Sequence, residues 1–443
     1  MYFHLMDINN LDIRVLPFTD QAIRQAVEIY GTPVQLYDYK GIRETAKKFM
    51  ETFSSQISGF KQFFAVKALP NPYILKILLD EGMGLDCSSQ SELEIAKMLK
   101  VSGDKVMFTS NYTSDSDLAL AMEMGVIINL DDISLIPKLF GLAGTLPKKL
   151  FLRYNPGIGK TDSETKSNIL GGPDAKFGMD ADSIVNSILI ASKLGVEEFG
   201  IHLMTGSNVL EIEYWDELVD KIFMLVGKIY QTTGIKISGI NLGGGIGINY
   251  RTGILPDINK LAKKIGEKIK KTLPIYNLDK IQVYMENGRF ITGPHGYLVA
   301  KCNVVKELYG QTFYGLDACM SNLMRPGMYG AYHRIDVLGT LNENLKEANV
   351  VGTLCENNDW FAKNRLLPQA NPSDLFVIWD TGAHSHSMGF QYNGKLRAPE
   401  VLVHDDKFKL IRERETFANY ISTVPLEEDW KNYSVTQNQV CET

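Results

Sequence analysis

The chain has 443 residues, 44% hydrophobic and 22% charged, with a formal net charge of −6. That length suits a large domain plus a smaller one; the acidic balance disfavours a nucleic-acid partner, and no run approaches the roughly 18 apolar residues of a membrane span, so a cytoplasmic protein with no membrane partner is expected. Cys87, Cys302, Cys319, Cys355 and Cys441 are odd in number, far apart and without a CxxC pair, which points to free thiols and to no metal site.

In chain order, the opening segment through LYDYKG is too short to place by itself. From about residue 60 one unit recurs eight times: a β-branched or aromatic run, a small polar cluster, then a stretch with helical spacing of apolar residues. The strand-like runs are FFAVKAL (63–69), GLDCSS (84–89), KVMFTSN (105–111), VIINLDD (126–132), KLFLRYNPG (149–157), FGIHLMTGSN (199–208), GINLGGG (239–245) and IQVYMENGR (281–289). Between them NPYILKILLDEG (71–82), SELEIAKMLKVSG (91–103) and YWDELVDKIFMLVGKIYQTTG (214–234) read as helices that end at a glycine. Eight such units predict an α/β fold of the (β/α)8 TIM type, since open sheets usually stop near five or six strands.

The runs turn polar at their C-terminal ends, where barrel chemistry gathers: Lys67, Asp86, Ser110, Asp131, Arg153, His202, the glycines 243–245 and Glu286. After Arg289 the pattern changes to GYLVAKCNVVKELY (296–309), DLFVIWDTGAH (374–384) and PEVLVHDDKFKLIRERE (399–415), strand-rich and without regular helices between. The expected division is a barrel over 36–290 and a β-rich domain from 1–35 plus 291–443.

Lys67 stands in an apolar run, where a buried ammonium requires either an ion pair, with Asp86 for example, or a Schiff-base role favoured by desolvation. The glycines of NLGGGIG follow a strand, as a tight turn or as a phosphate cradle of bare backbone N–H groups. No GK[ST] follows them, so they are not a Walker A loop. Glu286 and Arg289 close the eighth run, either as a surface pair or as ligand contacts on the rim that bears Lys67; a carboxylate there could keep a pyridine nitrogen protonated.

In sequence, FFAVKALPNP, GLDCSSQSELEIA, DAKFGMD, INLGGGIG, ENGRF, DACMSNLMRPGMYGAYH, LCENNDWFAKNRLLP and DTGAHSHSMGFQYNGKLR resemble the successive motifs of the fold-type III, alanine-racemase-like decarboxylases, the diaminopimelate decarboxylases in particular. The resemblance implies pyridoxal 5'-phosphate as cofactor, held covalently by Lys67, with Glu286 at its ring nitrogen and Gly243, Gly244 and Gly245 at its phosphate. Asp86, His202, Ser207 and His384 are further cofactor contacts by the same likeness. It also implies that Arg289, Arg325 and Tyr329 grip a distal carboxylate of the substrate, that Glu356 binds its distal amino group, and that Cys355 protonates the carbon that loses CO2. Cys355 and Glu356 would enter from the second subunit of a homodimer.

The implied reaction is decarboxylation of meso-diaminopimelate to L-lysine, a step of lysine biosynthesis. Alternatives are relatives acting on D-lysine, D-ornithine or a carboxylated polyamine or siderophore precursor, and a pyridoxal-phosphate-binding barrel without catalysis. Three positions depart from the usual pattern. Met204 stands where many relatives have a ring-stacking histidine, His384 replaces a tyrosine that reaches the phosphate, and Asn287 replaces proline in ENGR.

Overall fold

A computed structural model describes residues 14–162, 169–276, 278, 280–340 and 345–431; Cys441 lies outside these. The first strand, β1 (Val34–Asp38), precedes eight parallel strands: β2 (Lys61–Ala65), β3 (Gly84–Cys87), β4 (Val106–Thr109), β5 (Ile127–Leu130), β6 (Lys149–Arg153), β7 (Glu198–His202), β8 (Gly239–Asn241) and β9 (Gln282–Met285). They close on themselves as β9 pairs back with β2, Lys61 opposite Tyr284. The helix Pro72–Asp80 starts at Asn71, whose side chain accepts from the Tyr73 amide (3.1 Å), with Pro72 in the first turn, where a missing N–H costs nothing. Tyr214–Thr233 ends as expected on Gly234, at φ +73°. SELEIAKMLKVSG differs: its helix, Gln90–Met98, stops early, Lys100 takes the left-handed turn at φ +58°, and Gly103 opens a separate 3-10 turn.

Inside the barrel, strand alternation stacks two layers of opposite character. The lower one is an apolar plug of Phe63, Met107, Ile127, Phe151 and Tyr284. Gly200 makes room for it, since a Cβ there would meet the Phe151 ring at 2.2 Å. Two residues further along the strands, the upper layer is polar and buried: Asp86, Thr109, Asn129, Arg153, His202, Asn241 and Glu286. Asn241 reaches across to Met107 Sδ (3.0 Å), which shows that this layer points inward.

The remaining strands are β10 (Gly296–Leu308), β11 (Gln311–Leu316), β12 (Ile335–Val337), β13 (Leu345–Val351), β14 (Trp360–Pro368), β15 (Leu375–Ile378), β16 (Glu400–His404) and β17 (Lys407–Arg412). With β1 they form a nine-stranded sheet whose main path runs β14-β13-β11-β10-β1-β16-β17. The opening segment thus joins this sheet: β1 is antiparallel to β10 and parallel to β16. Where sheet and barrel meet, the buried Glu400 carboxylate accepts from Tyr37 Oη (2.5 Å), Asn71 Nδ2 (3.0 Å) and Arg412, and the segment after β15 bonds the Lys67 turn through His384 N to Ala68 O (2.9 Å). Among the described residues no helix is long and apolar enough to cross a membrane.

Candidate active site

The apolar run bearing Lys67 splits into strand β2 and a 3-10 turn, Val66–Ala68, so Lys67 leaves the strand. Its side chain is 48% exposed and lines a cavity of about 260 Å3 at the C-terminal mouth of the barrel. This corrects the expectation of a buried ammonium: the sequence around Lys67 is apolar because Phe63, Phe64 and Val66 are buried, while the turn delivers the amine to an open space. The Asp86 carboxylate lies beneath it, Oδ2 at 3.9 Å from Nζ.

Two carboxylates of the upper layer face this amine and are pushed apart electrostatically. Burial, then the charge of Glu286, raises Asp86 well above the usual carboxylate range, against the lowering effect of Lys67 and the Thr109 hydroxyl. Burial also pushes Glu286 up, but the His202 ring, Lys67 and the Asn241 amide outweigh it and leave Glu286 below its ordinary value. Asn241 Nδ2 donates to Oε1 (2.6 Å), and His202 Nε2 lies 3.1 Å from Oε2. His202 itself is fully buried behind Glu286, so the structure places it as the support of that carboxylate and not on the cavity wall. Met204, two residues on, does line the cavity.

Opposite Glu286 stand two guanidiniums. Arg289 Nη1 donates to Tyr250 Oη (2.6 Å) and Nη2 to Ser207 Oγ (3.3 Å). Arg325 begins a short helix, Arg325–Tyr329, lies over the Tyr250 ring (4.4 Å) and donates from Nη1 to His333 Nε2 (2.9 Å). Neither is ion-paired to a carboxylate among the described residues. Burial lowers Arg325 to about 10, which leaves it a cation at neutral pH. Tyr329, Ser207 and His384 complete this side of the cavity. His384 adopts φ +56°, and burial together with Arg289 and Arg325 holds its ring well below the usual imidazole pKa.

Of the glycine run, only Gly245 lines the cavity. The Gly243 amide is already given to Asn241 Oδ1 (2.9 Å) and that of Gly244 to Met204 Sδ (3.3 Å). Their small size serves close packing: a Cβ on Gly244 would meet the Glu286 carbonyl oxygen at 2.3 Å. Gly244→Ala must therefore displace the strand end that carries Glu286. Denaturant unfolding is expected to show a loss of about 1–3 kcal/mol; an unchanged midpoint would contradict this packing.

Cys355 and Glu356 do not line the cavity of their own chain. Cys355 is exposed, its amide donating to Asn393 Oδ1 (2.7 Å), and Glu356 accepts from the Asn358 amide (3.0 Å). The buried Asp359 ties this loop down by accepting from the amides of Met320 (2.6 Å) and Leu354 (2.8 Å). Sequence reasoning did not single out Tyr250, His333 or Asn241. Tyr250 follows the quoted INLGGGIG and His333 closes the quoted DACMSNLMRPGMYGAYH, but only the folded chain turns their rings onto the arginines.

An amine able to bond an aldehyde, a buried carboxylate held below its ordinary pKa for a protonated ring nitrogen, and the Ser207 hydroxyl and His384 ring beside Gly245 for a phosphate fit pyridoxal phosphate. Barrel, sheet and site together define a barrel-type pyridoxal-phosphate enzyme. The model of the pyridoxal-dependent decarboxylases, pyridoxal binding domain, matches residues 40–293, and the chain belongs to this family of amino-acid decarboxylases. Protein TabA of Pseudomonas amygdali pv. tabaci is 38% identical over 413 residues, 93% of this chain and 94% of its own. Diaminopimelate decarboxylase of Methanothermobacter thermautotrophicus is 37% identical over 403 residues, 89% and 93% of the two chains. Among solved structures, diaminopimelate decarboxylase from Helicobacter pylori complexed with L-lysine superposes with a TM-score of 0.82 at 25% identity, covering 90% of this chain and 98% of that one. That from M. jannaschii in co-complex with L-lysine gives 0.81 at 28%, covering 91% and 94%.

Proposed function

We propose that this carboxy-lyase converts meso-diaminopimelate to L-lysine and CO2, as a step of lysine biosynthesis carried out in the cytoplasm by a homodimer. The observation that carries this reading is the pair of cavity guanidiniums, Arg289 and Arg325, that have no carboxylate partner among the described residues. Buried cations in that state call for an anionic ligand, and a substrate with a second carboxylate supplies one beyond the reacting end. Two structural relatives were solved in complex with L-lysine, which agrees with the product assigned.

When bound, pyridoxal phosphate supplies a conjugated ring that accepts the electron pair left as CO2 departs. Lys67, whose amine reaches the cavity, would hold that ring covalently. Glu286, kept ionised by His202 and Asn241, holds a proton on the ring nitrogen. Ser207, Gly245 and His384 take the phosphate end. Arg325, Tyr329 and Arg289 hold the distal carboxylate and so fix which carboxylate faces the ring. Cys355 of a second subunit delivers the proton to the carbon that loses CO2, and Glu356 from the same loop meets the distal ammonium. The exposed, Asp359-braced loop supports that arrangement, because its own cavity lacks both groups.

Measuring CO2 release from a panel of meso-diaminopimelate, D-lysine, D-ornithine and carboxylated polyamines tests the assignment. A kcat/KM for meso-diaminopimelate at least about tenfold above the others is expected, since a site built around charged hydrogen bonds rejects analogues that lack them. Preference for a substrate without the second carboxylate refutes it, and a yellow protein that decarboxylates none of them is a cofactor carrier.

A further inference from the structure

We propose that His333 is a positioning residue that sets the enzyme's preference for a substrate with a second carboxylate, by giving Arg325 a neutral acceptor that leaves its charge available to the ligand. This rests on the reading that Arg325 receives that carboxylate.

The imidazole is fully buried. Its Nδ1 lies 2.7 Å from the Trp379 carbonyl oxygen, an atom that only accepts, so the ring proton sits on Nδ1 and Nε2 offers a lone pair. Arg325 Nη1 donates to that lone pair at 2.9 Å. The ring also packs against Tyr250, centroids 4.9 Å apart, and Tyr250 carries Arg325 on its face while its hydroxyl accepts from Arg289. One aromatic ring and one imidazole thus hold two like charges in place that would otherwise repel. A carboxylate at position 333 would also accept from Arg325, but it has no proton for the Trp379 carbonyl and would pair with the guanidinium, so that the substrate's carboxylate would meet a neutralised partner. Burial and the facing Arg325 keep the imidazole uncharged, consistent with this geometry.

His333→Gln and His333→Glu are nearly isosteric and differ in charge, so comparing them separates positioning from packing. For meso-diaminopimelate, His333→Gln is expected to keep KM within about threefold of wild type, whereas His333→Glu raises it at least about tenfold with kcat little changed. His333→Leu, which has no acceptor, should follow the Glu variant, and thermal unfolding with cofactor absorbance checks that each is folded. Equal KM values for the Gln and Glu variants, or a Gln variant as poor as Leu, overturn the proposal. A wild-type enzyme indifferent to the second carboxylate instead refutes the functional reading, whereas a wild type that requires it and a Glu variant that still does refutes only the role of His333.

Discussion

Mixing subunits carrying Lys67→Ala with subunits carrying Cys355→Ala is expected to restore decarboxylation, although either variant alone is nearly inactive. Lys67 projects into the cavity of its own chain, while Cys355 is exposed on a loop outside it. If each site takes its amine from one subunit and its thiol from the other, a hybrid dimer assembles one intact site and one doubly defective one. Random reassortment makes half the dimers hybrids, so activity should return to roughly a quarter of wild type. The Cys355→Ala parent should retain the cofactor and lose about 10²- to 10⁴-fold in kcat, the usual contribution of a positioned proton donor. Hybrids isolated by differential tagging that are no more active than the parents would place both groups in one chain's site or remove Cys355 from the chemistry.

Lys67→Ala carries the other large effect. Among the described residues Lys67 is the one lysine that lines the cavity. Borohydride treatment of the wild-type holoprotein should fix a pyridoxyl group on the peptide containing Lys67 and leave none on the variant, with kcat falling by at least about 10³-fold. A pyridoxyl label on another lysine of the wild-type protein would end the account of the site given above. Cofactor absorbance in the variant separates loss of the covalent link from loss of binding, because Ser207, Gly245, Glu286 and His384 remain in place.

Both expectations draw on different depths of the sequence. The barrel was legible because its strands are short apolar runs punctuated by turn residues and separated by helix-length stretches, a local signal that survives without knowledge of neighbours. The β-rich part was legible from the loss of helical spacing after Arg289, and the rim from the polar residue that ends each run. Motif order then pointed to the chemistry of Lys67, Glu286 and the arginines.

What only the tertiary structure decided has a common cause. Strands buried on both faces carry apolar residues throughout, so inward and outward positions look alike in sequence. Closure of the barrel is what stacks Asp86, Asn241 and Glu286 into one polar layer above Phe63, Phe151 and Tyr284. The same limit hid the turn that lifts Lys67 into open space, the donors already committed at Gly243 and Gly244, and the convergence of Tyr250 and His333, 83 positions apart by their numbers, on the two guanidiniums. Sequence by itself determined which elements form and which residue types they carry; which of these groups share a solvent-excluded space, and hence which charges act on one another, follows only from long-range packing, because electrostatic interaction depends on distance and burial and not on order along the chain.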